Sequence, residues 1–163
     1  MRQIVPINPQ AAVGLAKMVT SRASGPPKAN IDNIVNIFLE FNKLQECTAF
    51  LLEALKDNRP DEGHLQTKVL EINLMSAPNV ADGIFKLNIF SHYDREKIAR
   101  MCEQVGLYGR ALTNYTNIQD IKRVMLNTHA ISEDQIMEFF AKLGEEECLQ
   151  VMYDMLKSNR QNV

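Results

Sequence analysis

Apolar residues recur three and four positions apart along most of the chain, and a clear case lies between residues 90 and 112. Gly106 divides this stretch, at a position where a helix end favours a residue that tolerates a positive φ. Ser91, with Asp94 three residues on, is the predicted N-cap of the first helix. The pattern predicts two short helices joined by a tight turn, an αα-hairpin. The two apolar stripes comprise Ile98, Met101, Cys102 and Val105, and then Leu107, Tyr108, Ala111, Leu112 and Tyr115.

The same pattern of short amphipathic helices joined by turns recurs on both sides of this hairpin. Polar segments at 23–30 and 57–63 are predicted loops. We expect nine or ten helices of roughly 10–14 residues. Predicted helix starts lie at Asn8, Asn30, Ser76, Asn117 and at Ser132 with Gln135, and predicted stops lie at Asn42 and Gly144. Apolar stripes include Val80, Ile84 and Leu87 after Pro78, and Leu149, Met152, Tyr153 and Leu156 in the last helix.

Chain reversals near residues 42, 76, 106 and 144 are spaced by about 30–38 residues, which is typical of helix-hairpin repeats. Such hairpins cannot bury both faces alone, so each stacks on its neighbour. The predicted fold is all-α, an α-solenoid of short antiparallel helix hairpins, with a closed helical bundle as the alternative. We expect a single segment over residues 1–163, with a helix and loop at 1–29 and hairpins over 30–163.

The amino-acid composition argues against several classes of protein. The 163 residues are 45% hydrophobic, which argues against disorder, and a net charge of −2 leaves no basic field for nucleic acid. No apolar run approaches the roughly 18 residues of a membrane span, and we expect no signal peptide. Cys47, Cys102 and Cys148 are far apart and lie within apolar helical patterns. We expect buried free thiols in a reducing compartment, which makes the cytoplasm the expected location.

No catalytic, cofactor-binding or metal-ligating residues are predicted. His64, His92 and His129 are isolated, because none has another His or a Cys three or four positions away. His92 is better explained as part of a helix entry, and His129 as a junction residue at a helix end. A nucleophile pair of Cys102 with His92 stays open, but no glycine-rich oxyanion loop lies nearby. With no phosphate-binding glycine motif either, the chain is not expected to be an enzyme.

Two further features have structural interpretations. Consecutive Glu145, Glu146 and Glu147 fan around a helix start, where the helix dipole favours acidic side chains. The methionines are expected to fill the core, as at Met101, Met125, Met152 and Met155. An exposed apolar groove stays possible, since solenoids present concave faces. Binding residues are unknown from the sequence.

Five ordered blocks carry a specific resemblance. They are CTAFLLEALK (47–56), LQTKVLEINL (65–74), APNVAD (77–82), FSHYDREKIARMCEQVGLYGRAL (90–112) and DIKRVMLNTHAI (120–131). These blocks closely resemble the clathrin heavy-chain family, in the part of the leg where the heavy-chain repeats begin. The resemblance runs from about Asn30 to Asn162 and is weakest over the first 30 residues.

The resemblance implies a right-handed superhelix of antiparallel helix pairs. It also implies a structural segment of the heavy-chain leg, contributing to the coat lattice of vesicles in endocytosis and intracellular protein transport. The implied partners are neighbouring heavy-chain legs, whereas light chains and adaptors would bind outside this segment. The implied location is the cytoplasmic face of coated pits and coated vesicles, and no cofactor is implied.

The segment is expected to be a semi-stiff spacer, in which small rotations between neighbouring hairpins add up to a gentle bend. The cut ends of an excised segment are expected to expose apolar surface and to self-associate weakly. The alternative functions are a peptide-binding adaptor or tethering subunit of membrane traffic, and a small helical enzyme. Candidate contacts to a neighbouring leg, with ordinary solvated faces as the alternative, are Lys86, Arg95, Lys97, Lys122 and Arg123.

Overall fold

The computed structural model describes residues 1–21, 29–125 and 128–160. This part of the chain contains ten α-helices, two 3-10 helices at Pro60–Glu62 and Thr128–Ala130, and no strand. The all-α prediction is confirmed, whereas the loop predicted at 23–30 lies mostly outside the described residues. The helices are α1 (Pro9–Thr20), α2 (Ile31–Glu40), α3 (Leu44–Ala54), α4 (Gly63–Ser76), α5 (Pro78–Leu87), α6 (Arg95–Gln104), α7 (Tyr108–Asn114), α8 (Ile118–Met125), α9 (Glu133–Lys142) and α10 (Glu145–Arg160).

The helices fall into two compact units, residues 1–94 and 95–163. In the first unit, α3 packs against α1, α2 and α4, and α4 packs against α5. In the second unit, α7 packs against α6, α8 and α9, and α8 packs against α10. These helix pairs are neighbours or next-nearest neighbours along the chain, which is the packing pattern of a helical repeat. The single segment over residues 1–163 stays a prediction.

Polar caps start several helices where the sequence predicts them. Asn8, Asn30 and Asn117 each accept a backbone N–H from the first turn of α1, α2 and α8, at 2.7–3.0 Å. Ser132 and Gln135 form the predicted capping box, in which each side chain accepts the other residue's backbone N–H at 3.3 Å. These bonds satisfy N–H groups that have no partner within the helix.

Left-handed residues end other helices. Asn42 (φ 54°) follows α2 and Gly106 (φ 81°) follows α6, as predicted. Asn88 (φ 51°) ends α5 in the same way, because the short asparagine side chain tolerates this conformation. Gly144 directly follows Leu143, the C-cap of α9, so the helix stop lies where it is predicted. It differs from the other two predicted stops in conformation, because Leu143 is extended and Gly144 does not have a positive φ.

Two predicted N-caps are wrong. Ser91 does not cap α6, which begins four residues later, and its Oγ accepts a hydrogen bond from Asn58 Nδ2 at 2.9 Å. Ser76 is the last residue of α4, and its hydroxyl donates to the Ile72 carbonyl at 2.6 Å. Ala77 therefore occupies the N-cap of α5. In both places the serine bonds a group other than the helix start that follows it.

Helix α5 buries a different face from the predicted one. Ile84 and Ala81 are buried, whereas Val80 is 46% exposed and Leu87 is 65% exposed. The predicted stripe correctly includes Ile84 but misses the small residue beside it. The buried face of α5 is therefore narrow, and its apolar rim faces solvent.

A polar cluster ties the segment before α6 to the start of α4. Gln66 is fully buried in α4. Its Oε1 accepts the backbone N–H of His92 at 2.9 Å, and its Nε2 donates to Asn58 Oδ1 at 2.9 Å. A Cβ built on Gly63, the first residue of α4, would lie 2.3 Å from the His92 carbonyl oxygen. This close approach requires a residue without a side chain at position 63.

Candidate interaction surface

The three histidines lie in separate structural settings. His64 is exposed near the start of α4, and its Nε2 lies 3.2 Å from Asp32 Oδ1 on α2. His92 is exposed and uses its backbone N–H to bond Gln66, and His129 is exposed in the second 3-10 helix. Across residues 1–21, 29–125 and 128–160, no three His, Cys, Asp or Glu side chains are grouped to hold a metal ion. The absence of metal and catalytic residues stays a prediction.

Two of the three cysteines are closed to solvent. Cys47 and Cys102 are fully buried, and Cys148 is half-buried on α10. Burial raises the pKa of the Cys47 thiol to about 12, so this thiol stays protonated at neutral pH. The burial of Cys102 argues against its use as a nucleophile with His92. Buried thiols were the prediction for all three positions, and Cys148 departs from it.

The cations considered for contact with a neighbouring leg are largely engaged within the chain. Partners are Asp82 for Lys86, the Thr113 carbonyl for Arg95, Asp154 for Lys122, and Glu103 with Asp120 for Arg123. Lys97 is exposed. Exposed ion pairs contribute little free energy, and a cation that already has a partner gains less from a second one. Contact of these side chains with another leg stays a prediction.

Arg123 is the centre of a charged cluster in the second unit. Its guanidinium donates to Glu103 at 2.8 and 3.1 Å, to Asp120 at 2.6 Å and to the Tyr115 hydroxyl at 3.2 Å. The hydrogen bond from Arg123 lowers the pKa of Glu103. Burial, followed by the hydrogen bond to Glu103, raises the pKa of Tyr115 to about 12. The cluster fastens α8 to α6 and to the end of α7, which is a structural task.

A groove of about 610 Å³ lies where α3 begins and α4 ends. Its apolar lining includes Ala49, Leu52 and Val80, and its charged lining residues are Lys43 and Glu46. One cation and one carboxylate do not form a converging set of acid, base and nucleophile. The groove therefore does not favour the enzyme hypothesis.

The apolar stripe of α10 faces solvent, which the sequence did not predict. Leu149 is 64% exposed, Met152 50%, Tyr153 57% and Leu156 66%. Helix α10 packs against α8 through another face, which carries the fully buried Val151. Helical periodicity shows that a stripe exists, but it contains no information about what covers the stripe.

The methionines divide between core and surface. Met125 is 1% exposed and Met101 is half-buried, as core-filling residues should be. The expectation of a core position is wrong for Met152, and the side chain of Met155 lies outside the described residues. Further exposed methionines are Met18, Met75 and Met137, at 75%, 81% and 70%. Among the described residues, no helix is long and apolar enough to span a bilayer.

Short helices that pack on their sequence neighbours, with side-chain clusters that fasten helices together, define a structural helical-repeat protein. A family model described as Clathrin, region in Clathrin and VPS, matches residues 24–163. The chain belongs to this family, and the predicted helical-repeat fold class and the family resemblance are confirmed.

Curated relatives match the chain over almost its entire length. It is 48% identical to a clathrin heavy chain of Drosophila melanogaster, with 100% of this chain and 10% of the relative covered. It is 48% identical to clathrin heavy chain 2 of Oryza sativa subsp. japonica, with 98% of this chain and 9% of the relative covered. It is 43% identical to clathrin heavy chain 2 of Homo sapiens, with 100% and 10% covered. The chain thus spans about a tenth of the length of these relatives.

Proposed function

We propose that this chain forms a structural segment of a clathrin heavy-chain leg and contributes to the coat lattice in endocytosis and intracellular protein transport. The observation that carries the proposal is the family match over residues 24–163. Identities of 43–48% to heavy chains of an insect, a plant and a human support it. No observation on the chain specifically favours the alternative of a peptide-binding adaptor or tethering subunit.

The packing pattern explains how such a segment would work. Within each unit, helices contact helices one or two places away in the chain, and such contacts would pass a load along the hairpins of that unit. Small rotations at successive interfaces then sum to a gentle flexibility. A lattice that is built and dismantled also favours many weak polar contacts over one tight interface. The chain acts as a semi-stiff spacer in this proposal, with no catalytic step.

The partners in this proposal are neighbouring heavy-chain legs. Light chains and adaptors bind elsewhere in the longer protein, and the membrane is reached only indirectly. The site of action is the cytoplasmic face of coated pits and coated vesicles. No cofactor is part of the proposal.

An antibody against the peptide of residues 21–30, SRASGPPKAN, tests the proposal. We expect the resemblance to heavy chains to be weakest in this peptide, so the antibody should distinguish this chain from related ones. Whole-cell lysate and a purified coated-vesicle fraction are blotted, with antibody pre-adsorbed on the peptide as the control. We expect a band several times heavier than 18.5 kDa that is enriched with the vesicles.

Two results would overturn the proposal. The first is a band that is absent from the vesicle fraction at every loading. The second is a soluble band near 18.5 kDa as the single product, which would describe a stand-alone helical protein and favour the adaptor.

A further inference from the structure

The groove of the first unit lies away from both ends of the chain. It is bordered by the start of α3, the end of α4 and the start of α5, so helices precede and follow it. Its volume of about 610 Å³ is in the range of ligand-binding clefts. Ala49 and Leu52 on α3 and Val80 on α5 supply an apolar lining. A groove of this kind accepts an apolar side chain.

The first turn of α3 borders the groove and has no cap. Lys43 is the N-cap residue, and the N–H groups of Leu44, Gln45 and Glu46 have no partner in the part of the chain that the structure describes. The Glu46 carboxylate bonds neither these groups nor Lys43. The Lys43 ammonium is half-buried and has no ion pair among the described residues. Free N–H groups, the helix dipole and this cation together favour an anion from outside.

A buried acceptor lies on the same groove. Asn73 of α4 lines it and is 4% exposed. Its Nδ2 donates to Thr48 Oγ1 at 2.9 Å and to the Val69 carbonyl at 2.7 Å, whereas its Oδ1 accepts no hydrogen bond from any described residue. A buried carbonyl without a donor favours a ligand N–H. Thr48 lies one helical turn after Leu44, so the Asn73 amide lies roughly 6 Å further along α3 than the free N–H groups.

We propose that this groove binds the C-terminus of a partner protein whose last residue is apolar. The terminal carboxylate lies at the start of α3 beside Lys43, and a backbone N–H of the last two residues donates to Asn73 Oδ1. The last side chain packs on Leu52 and Val80. A C-terminus carries a carboxylate, N–H groups and an apolar side chain within roughly 3.3–3.6 Å per residue, which matches the spacing of these features. Capture of a terminal carboxylate by backbone N–H groups is a recurring mode of recognition.

This docking site would add a partner to the structural role of the chain. The proposal does not rest on the function in a coat, and a negative result here leaves the vesicle experiment untouched.

NMR titration of the ¹⁵N-labelled chain tests the proposal. The probes are three peptides with free C-terminal carboxylates: acetyl-Gly-Ser-Leu-Leu, acetyl-Gly-Ser-Leu-Ile and acetyl-Gly-Ser-Leu-Phe. We expect shifts of the backbone amides of Leu44, Gln45 and Glu46 and of the side-chain amide of Asn73. The dissociation constant should be about 0.1–1 mM, because only a few residues make contact.

Changes to the peptides test each contact without altering the protein. Amidation of the C-terminus removes the charge and should weaken binding about tenfold. Methylation of the last two peptide nitrogens removes the donors to Asn73 Oδ1 and should weaken binding about fivefold.

Matched variants separate the groove from the rest of the surface. Val80→Asp places a carboxylate on the apolar lining and should weaken binding about tenfold, whereas Val105→Asp changes a similarly exposed valine outside the groove. Lys43→Gln removes the cation and should weaken binding about fivefold. Lys86→Gln is its control, because Lys86 is exposed on α5 and pairs with Asp82. Both controls should leave the dissociation constant unchanged, and urea unfolding checks that all four variants fold.

Four results would overturn the proposal. The first is the absence of shifts in the first turn of α3 with all three peptides at about 5 mM. The second is equal binding of the free acids and their amides, which would mean that α3 does not hold the carboxylate. The third is binding that Val80→Asp and Lys43→Gln both leave unchanged, which would place the peptide elsewhere. The fourth is equally tight binding of acetyl-Gly-Leu-Glu-Leu amide, which would assign the groove to an acidic side chain within a chain.

Discussion

Replacing Gly63 by alanine tests the tight contact between the start of α4 and the segment before α6. Gly63 has an ordinary helical φ of −57°, so its backbone alone would accept alanine. On helix propensity, the change should stabilise by up to about 1 kcal/mol. The new Cβ, however, would lie 2.3 Å from the His92 carbonyl oxygen, a backbone atom that cannot rotate away.

The clash with His92 should therefore make Gly63→Ala destabilising, although helix propensity alone would make it stabilising. Forcing an extra methyl group into a packed site costs about 1–3 kcal/mol. Displacing His92 also lengthens the 2.9 Å bond from its N–H to the buried Gln66 Oε1, and such a bond contributes about 0.5–1.5 kcal/mol. After subtraction of a propensity gain of about 1 kcal/mol, we expect a net destabilisation of about 0.5–3.5 kcal/mol.

Urea unfolding followed by circular dichroism at 222 nm measures the difference. Gly14→Ala and Gly83→Ala are the matched controls, because both glycines lie in helices of the same unit and a Cβ on either meets no atom within 4 Å. Both controls should gain stability by about 0.5–1 kcal/mol. The amide proton of His92 should exchange faster with solvent in Gly63→Ala than in either control.

The reasoning would be refuted if Gly63→Ala were as stable as Gly14→Ala with an unchanged His92 exchange rate. That result would mean that the His92 carbonyl does not lie over the first turn of α4. A loss of stability with unchanged His92 exchange would place the strain elsewhere and would equally refute the proposed cause.

Three further predictions follow from single contacts. Ser132→Ala removes the capping box of α9 and should cost about 1 kcal/mol in urea unfolding, with Ser132→Asp retaining most of it. Arg123 lowers the folded-state pKa of Glu103, so the pair stabilises the fold at pH values above the ordinary Glu pKa, and this contribution is lost as the pH falls through the lowered pKa. Arg123→Ala should therefore reduce the loss of stability at acidic pH, and an unchanged loss would contradict the prediction. Native protein should react quickly with a thiol reagent at Cys148 alone and at three thiols in urea; fast labelling of Cys47, whose pKa burial raises to about 12, would contradict its burial.

The sequence predicted those features of the fold that depend on a few adjacent residues. The helix starts at Asn8 and Asn30, the capping box at Ser132 and the left-handed turn at Gly106 all follow from local chemistry. Ser76 shows the limit of such reasoning, because a serine can bond the previous turn as easily as it can cap the next helix. Local patterns identify the candidates for a cap, and the tertiary fold selects among them.

The buried polar residues of α4 could not be predicted from local sequence. The stripe that helical spacing predicts in α4 is apolar and comprises Leu65, Val69, Ile72 and Leu74, yet Gln66 and Asn73 are as buried as these residues. Asn73 donates to Thr48 Oγ1, and Gln66 accepts from His92, so their partners lie 25 and 26 residues away. A polar residue can be buried only where such partners exist, and their positions are set by the packing of whole helices.

The surface of α10 was missed for a related reason. An amphipathic pattern of Leu149, Met152 and Leu156 predicts one apolar face, and the usual inference is that a neighbouring helix of the chain covers that face. In the structure α8 covers the opposite face, around Val151. The position of α8 determines which of the two faces of α10 is buried. The sequence of α10 alone therefore cannot predict the buried face.

The close contact at Gly63 has a counterpart at a helix start of the second unit. In the second unit, a Cβ on Gly109, in the first turn of α7, would lie 2.5–2.7 Å from the side-chain atoms of Gln135 at the start of α9. In the first unit, Gly63 begins α4 and meets His92 shortly before α6. In both cases a glycine in the first turn of one helix lies against residues at or just before the start of the second helix after it. The geometry requires a residue without a side chain at Gly63, where the neighbour is a backbone carbonyl, whereas at Gly109 the neighbour is the end of a glutamine side chain that can move.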